Sequence, residues 1–156
     1  MSQLALFALC PATILADLEE REDTQPVEVF EACLALEQDT TLRFAEPTPT
    51  GGNVYPPIFD YFDVEFDIAP SIEGEYSNLL SYWQDNTSMM DVQIFSYPTS
   101  QRLLNILNSE PDLAAVAKYI AADWEVDEAA LLLGLQNLIF ALGKVTPQKC
   151  LLFFIA

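Results

Sequence analysis

Four carboxylates close together, Asp60, Asp63, Glu65 and Asp67, form the densest set of groups in this chain that could do chemistry. Three of them alternate with Phe62, Val64, Phe66 and Ile68. Alternation at period two marks a half-buried strand, so residues 59–68 are read as a strand with the apolar side chains inward and the acids outward. Same-face side chains on a strand lie about 6.6 Å apart. A carboxylate row at that spacing has three uses: it collects a hard cation such as calcium, it mimics successive phosphates of an extended nucleic-acid strand, or it grips a basic groove on another protein. The calcium-loop pattern D-x-[DN]-x-[DN]-G is absent, which ranks the cation use last. A merely solvated sheet face is the plain alternative.

The chain has no histidine. That removes the commonest general base, the Ser-His and Cys-His nucleophile pairs and every histidine-containing metal site. A pair of carboxylates can still serve a hydrolase, but acids are so abundant here that no one pair stands out. No catalytic residue, cofactor or metal is assigned, and the chain is not expected to be an enzyme.

Charge points to a partner class. Twenty-four Asp and Glu face six Lys and Arg, a net charge of −18. Residues 1–99 carry eighteen acids against Arg21 and Arg43, a net of −16. Residues 100–156 carry six acids against Arg102, Lys118, Lys144 and Lys149, a net of −2. Such a surface repels nucleic acid and anionic membranes and attracts basic proteins. Three cysteines, Cys10, Cys33 and Cys150, show no CxxC spacing, which fits small buried side chains in a reducing compartment. The apolar stretch 1–10 lacks the basic residues that open a secretory leader, so a cytoplasmic protein is expected.

The elements that must position these groups read as follows. Residues 2–9 are a short apolar run, strand or helix start. A helix follows over 11–23, and Pro26 opens either a second helix or a strand. A short strand is expected at 40–45. Residues 46–57, rich in Pro and Gly, read as a loop. Residues 71–84 are ambiguous, with Leu79, Leu80 and Trp83 at helical spacing. A strand is expected at 90–95 and a helix at 100–107. Ser109 is read as the N-cap of the next helix, whose apolar face is Leu113, Val116, Ala117, Ile120 and Ala121. The longest helix spans 127–145 and stops before Pro147. Residues 150–156 have strand length and apolar character. Strands in the middle and helices late predict one α+β domain over residues 1–156. It has a small, mostly antiparallel sheet within an acidic region, residues 1–99, then a helical region, residues 100–146, and an apolar segment, residues 147–156.

The stretch 129–142 is apolar on nearly every side, with only Gln136 and Asn137 polar. It is too short to span a membrane, which takes about 20 residues. Such a helix is buried, so Leu131, Leu135, Leu138, Ile139 and Leu142 are assigned to the core or to a subunit interface. These features favour a non-enzymatic structural or interaction protein, a subunit of a larger assembly such as a virus or phage particle. Its expected partners are other protein subunits with basic surfaces, a second copy of the chain included, and neither nucleic acid nor membrane. The alternative is a small acidic inhibitor that mimics nucleic acid toward a DNA- or RNA-binding protein. In either case Asp60, Asp63, Glu65 and Asp67 are the candidate binding face.

Overall fold

A computed structural model describes residues 5–21, 51–68, 79, 91–109 and 112–155. The fold is α+β, as the sequence predicts. Three strands, β1 (Ala5–Pro11), β2 (Asp91–Phe95) and β3 (Lys149–Ile155), form an antiparallel sheet in the order β1-β3-β2. The helices are α1 (Ala12–Arg21), α2 (Tyr55–Phe66), α3 (Tyr97–Ser109), α4 (Leu113–Asp123) and α5 (Glu128–Leu142); a 3₁₀ turn, Gly51–Val54, leads into α2. The expected elements at 26–36 and 40–45 lie outside the described residues, as does 71–84 apart from helical, buried Leu79.

The sheet explains why the last strand reads as an unbroken apolar run. β3 is central, and Cys150, Leu151, Leu152 and Phe153 are all buried, so both faces are covered. Register places Phe7 opposite Phe153 and Leu9 opposite Leu151, with Phe95 beside Leu151 on the same face. Tyr55 and Phe59 of α2 pack there. The Tyr55 ring lies 5.5 Å from Phe7 and 5.1 Å from Phe153, and Phe59 lies 4.9 Å from Phe153 and 5.6 Å from Phe95. Rings at these tilted and edge-on separations add roughly 0.5–1.5 kcal/mol per pair to the burial of their area. At the entry to β3, Thr146 and Lys149 exchange backbone hydrogen bonds around Pro147, and the Thr146 hydroxyl accepts from the N–H groups of Gln148 and Lys149. Proline's fixed φ suits that turn position.

Helix ends follow capping chemistry. Asp127 Oδ2 accepts from Ala130 N–H at 3.2 Å to open α5. Asp112 Oδ1 accepts from Ala114 N–H at 3.0 Å to open α4. Ser109, expected to be that cap, instead closes the preceding helix, where its hydroxyl donates to the Ile106 carbonyl at 2.8 Å. The acid three residues on is the better-placed acceptor.

The strand expected at 59–68 is a helix. Pro56 and Pro57, assigned to the loop 46–57, lie in its first turn, where a missing N–H costs nothing because those donors have no intrahelical partner. Tyr55, Ile58, Phe59, Phe62 and Phe66 recur at helical spacing and point toward the core. Phe62, Phe66 and Ile68 satisfy both periods, and Val64 separates them. A strand would bury Val64 with its neighbours, whereas the helix leaves it 70% exposed. Asp67 ends the helix in the left-handed conformation, φ 59°, and Ile68 N–H then reaches back to the Phe62 carbonyl.

Candidate functional site

The helix keeps all four carboxylates outward but regroups them. Asp60, Asp63, Glu65 and Asp67 are each exposed. Asp60 precedes Asp63 and Val64 by three and four residues on one flank, where neighbouring side chains stand about 5–6 Å apart, while Asp67 follows the last turn in the left-handed conformation. Glu65 leans the other way, toward α4. The evenly spaced row that would resemble nucleic-acid phosphates therefore does not form.

What forms instead is a groove between α2 and α4. It is a shallow depression open to solvent, lined by Pro57, Asp60, Tyr61, Val64 and Glu65 from α2 and by Tyr119, Ile120, Asp123 and Trp124 from α4 and its end. On α2 these residues recur at spacings of three, four, seven and eight, one helical stripe. On α4, Val116, Ala117 and Ile120 turn into the core, which leaves Tyr119 and Asp123 on the outward side. Tyr61 and Tyr119 meet edge to face at 5.8 Å. The Tyr119 hydroxyl donates to Glu65 Oε1 at 2.7 Å. That hydrogen bond and the Glu65 charge hold the Tyr119 phenol above its ordinary pKa, helped by desolvation and by Asp123. The phenol therefore stays a neutral donor that fixes the Glu65 carboxylate at the groove wall. Tyr119 and Trp124 are large aromatics left 53% and 40% exposed. Electron-rich ring faces and carboxylates around one small space suit a cationic side chain.

Of the four acids singled out in the sequence, the groove takes Asp60 and Glu65; Asp63 and Asp67 lie outside it. Sequence reasoning missed Tyr61, Tyr119, Asp123 and Trp124. Their signal is faint but present: Tyr119 and Asp123 are four apart on the polar side of a helix whose apolar face is legible.

The second set lies elsewhere. Leu131, Leu135, Leu138 and Leu142 are fully buried within the chain, and Ile139 packs half-buried against that core. The helix is not buried all round: Leu133 and Phe140, seven apart on its outer side, are 44% and 47% exposed, with the Lys144 ammonium 5.0 Å from the Phe140 ring centre. Among the described residues no three His, Cys, Asp or Glu side chains converge as metal ligands do, and no helix is long and apolar enough to cross a membrane.

No family model, curated protein or solved structure matches this chain.

Proposed function

We propose that this chain is a non-catalytic interaction protein, a subunit of a larger assembly, that docks a basic protein partner on α2 and α4. The observation that carries the reading is the groove itself. Three aromatic rings, Tyr61, Tyr119 and Trp124, and three carboxylates, Asp60, Glu65 and Asp123, line one shallow, solvent-open groove. An arginine or lysine of the partner enters there, its alkyl stem against the rings and its charge toward the acids. Asp63 and Asp67 extend the anionic field along α2, and the net charge of −18 steers a basic surface toward it. The competing reading, a small acidic inhibitor that mimics nucleic acid, keeps the net charge of −16 on residues 1–99 that motivates it, but not an evenly spaced carboxylate row.

The test is binding of an arginine-rich peptide, followed by calorimetry. Trp124→Ala removes a ring from the rim without opening the core, and Asp123→Asn removes a charge at constant shape. Each is expected to weaken binding about 2- to 5-fold, the range of a cation–π or charge contact at an exposed site. Asp63→Asn, outside the groove, is expected to weaken it less than about 2-fold, as a rim charge does. Equal losses for all three would favour a diffuse polyanionic surface. Undiminished binding by Trp124→Ala and Asp123→Asn would sink the groove.

A further inference from the structure

We infer that Cys10 and Cys150 are a dithiol that closes reversibly into a cross-strand disulfide. The two are register partners in the antiparallel β1–β3 pair, so both project to one face of the sheet. That face is opposite to the one bearing Phe7, Leu9, Leu151 and Phe153. Ladder geometry gives their separation class. Ala12 N–H donates to the Gln148 carbonyl at 2.9 Å, which makes 12 and 148 a hydrogen-bonded pair. Pairs alternate along the ladder, so Pro11 and Lys149 are a non-hydrogen-bonded pair, as a residue without N–H requires, and Cys10 and Cys150 are hydrogen-bonded. Such pairs hold their Cα atoms about 5.5 Å apart, inside the roughly 4.4–6.8 Å that a disulfide spans. The Cβ atoms of this pair class stand wider than the roughly 3.8 Å a relaxed disulfide prefers, so the bond draws the strands together under strain. Strained disulfides are the readily reduced kind.

Burial sets the kinetics. Cys10 is 0% and Cys150 3% exposed, so neither meets an oxidant while the ladder is closed. The pair sits at the end of that ladder, one residue before the last of β1 on one strand and one after the start of β3 on the other. Access to both sulfurs therefore requires opening this end, including the Ala12–Gln148 hydrogen bond. The oxidant is a small-molecule disulfide such as glutathione disulfide. One cysteine thiolate attacks it, forming a mixed disulfide and releasing one glutathione. The second cysteine attacks the protein-bound sulfur of that mixed disulfide and releases the other. The protein loses two electrons and two protons, and both appear in two molecules of reduced glutathione. The product ties residue 10 to residue 150 and locks β1 onto the central strand.

The full-length Cys33→Ala chain, with two thiols left, tests this. It is unfolded in urea and refolded across a series of glutathione ratios, so that access to buried sulfur is not limiting. It is then quenched by alkylation and weighed intact. The expected product has lost two hydrogens, yields one cross-linked peptide containing Cys10 and Cys150, and melts about 5–10 °C higher than the reduced protein until reductant is added. A Cys10→Ala, Cys33→Ala chain is expected to show no such rise. A dithiol, or glutathione adducts at the most oxidising ratio, would overturn the inference. Should Cys33→Ala fail to fold, peptide mapping of the unaltered chain decides the same question: a Cys10–Cys150 cross-link supports the inference, and a Cys33-containing one overturns it.

Discussion

Tyr55 joins α2 to both the sheet and α5, and its chemistry makes that junction measurable. Its ring packs on Phe7 and Phe153, and its phenol, hydrogen-bonded to Asn137, is almost fully buried. Desolvation pushes its pKa from 10.0 up to about 12, and the Asn137 bond only partly offsets this. A phenol is neutral when protonated, so the folded chain keeps this proton at pH values where the unfolded chain has lost it. The stability that depends on it is whole below pH 10 and is lost as pH rises from 10 to about 12. Two pKa units correspond to about 2–3 kcal/mol. Tyr55→Phe is expected to lose about 0.5–1.5 kcal/mol at neutral pH, because Asn137 loses its partner. By about pH 11 the order reverses, since the variant has no phenol to ionise. Urea midpoints of the two chains across this range check it; parallel profiles would show the phenol to be ordinary. Asp67 makes the same point about single residues. It looks like one more acid in the sequence, yet it is the left-handed residue that ends α2, a conformation Asp tolerates better than most side chains.

At the scale of elements, legibility tracks how many physical signals agree. The helix at α5 has length, a capping Asp127, an acid in its first turn and apolar residues on nearly every side, and it forms with its start at Glu128. The strand at β2 is bounded by polar and turn residues and forms within one residue of expectation. The segment 59–68 carries two periods at once. Period two runs over Phe62, Val64, Phe66 and Ile68; the helical period runs over Tyr55, Ile58, Phe59, Phe62 and Phe66. The helical stripe begins upstream, across Pro56 and Pro57, and reading those prolines as loop discards half of its evidence. The groove is out of reach of the sequence because it needs α2 and α4 side by side, and no pattern within either helix encodes that contact.

Gly134 is where α5 meets the start of α2. A Cβ there would lie 2.8 Å from Val54 Cγ2 and 3.2 Å from Ile58 Cδ1. The isoleucine end is flexible, but a β-branched valine has little freedom to retreat. Gly134→Ala gains up to about 1 kcal/mol of helix propensity and meets an overpacking penalty of roughly 1–3 kcal/mol. A net loss of about 1 kcal/mol is expected in urea unfolding. Val54→Ala removes the opposing methyl, so in the double variant Gly134→Ala is expected to become neutral or stabilising. If the two effects simply add, the contact is not what limits residue 134.

Charge acts over the whole molecule, and salt separates its two consequences by sign. At a net charge of −18 the chain repels itself, which opposes the compact state, and it attracts a basic partner, which favours encounter. Raising salt from about 0.01 M to about 1 M shortens screening from about 30 Å to about 3 Å. The fold is therefore expected to gain stability with salt, read as a rising melting temperature, while the association rate with a basic partner falls by about 10-fold or more. If, as proposed, a cation docks between Tyr61, Tyr119 and Trp124, the dissociation rate is expected to change far less, because ring contacts and close carboxylates are screened less than long-range steering. Stopped-flow mixing with an arginine-rich peptide across this range resolves the two rates. A fall confined to the association rate supports a groove that grips after long-range steering. An equally large rise in the dissociation rate would leave only a polyanionic surface, and the aromatic walls would have no part in holding the partner.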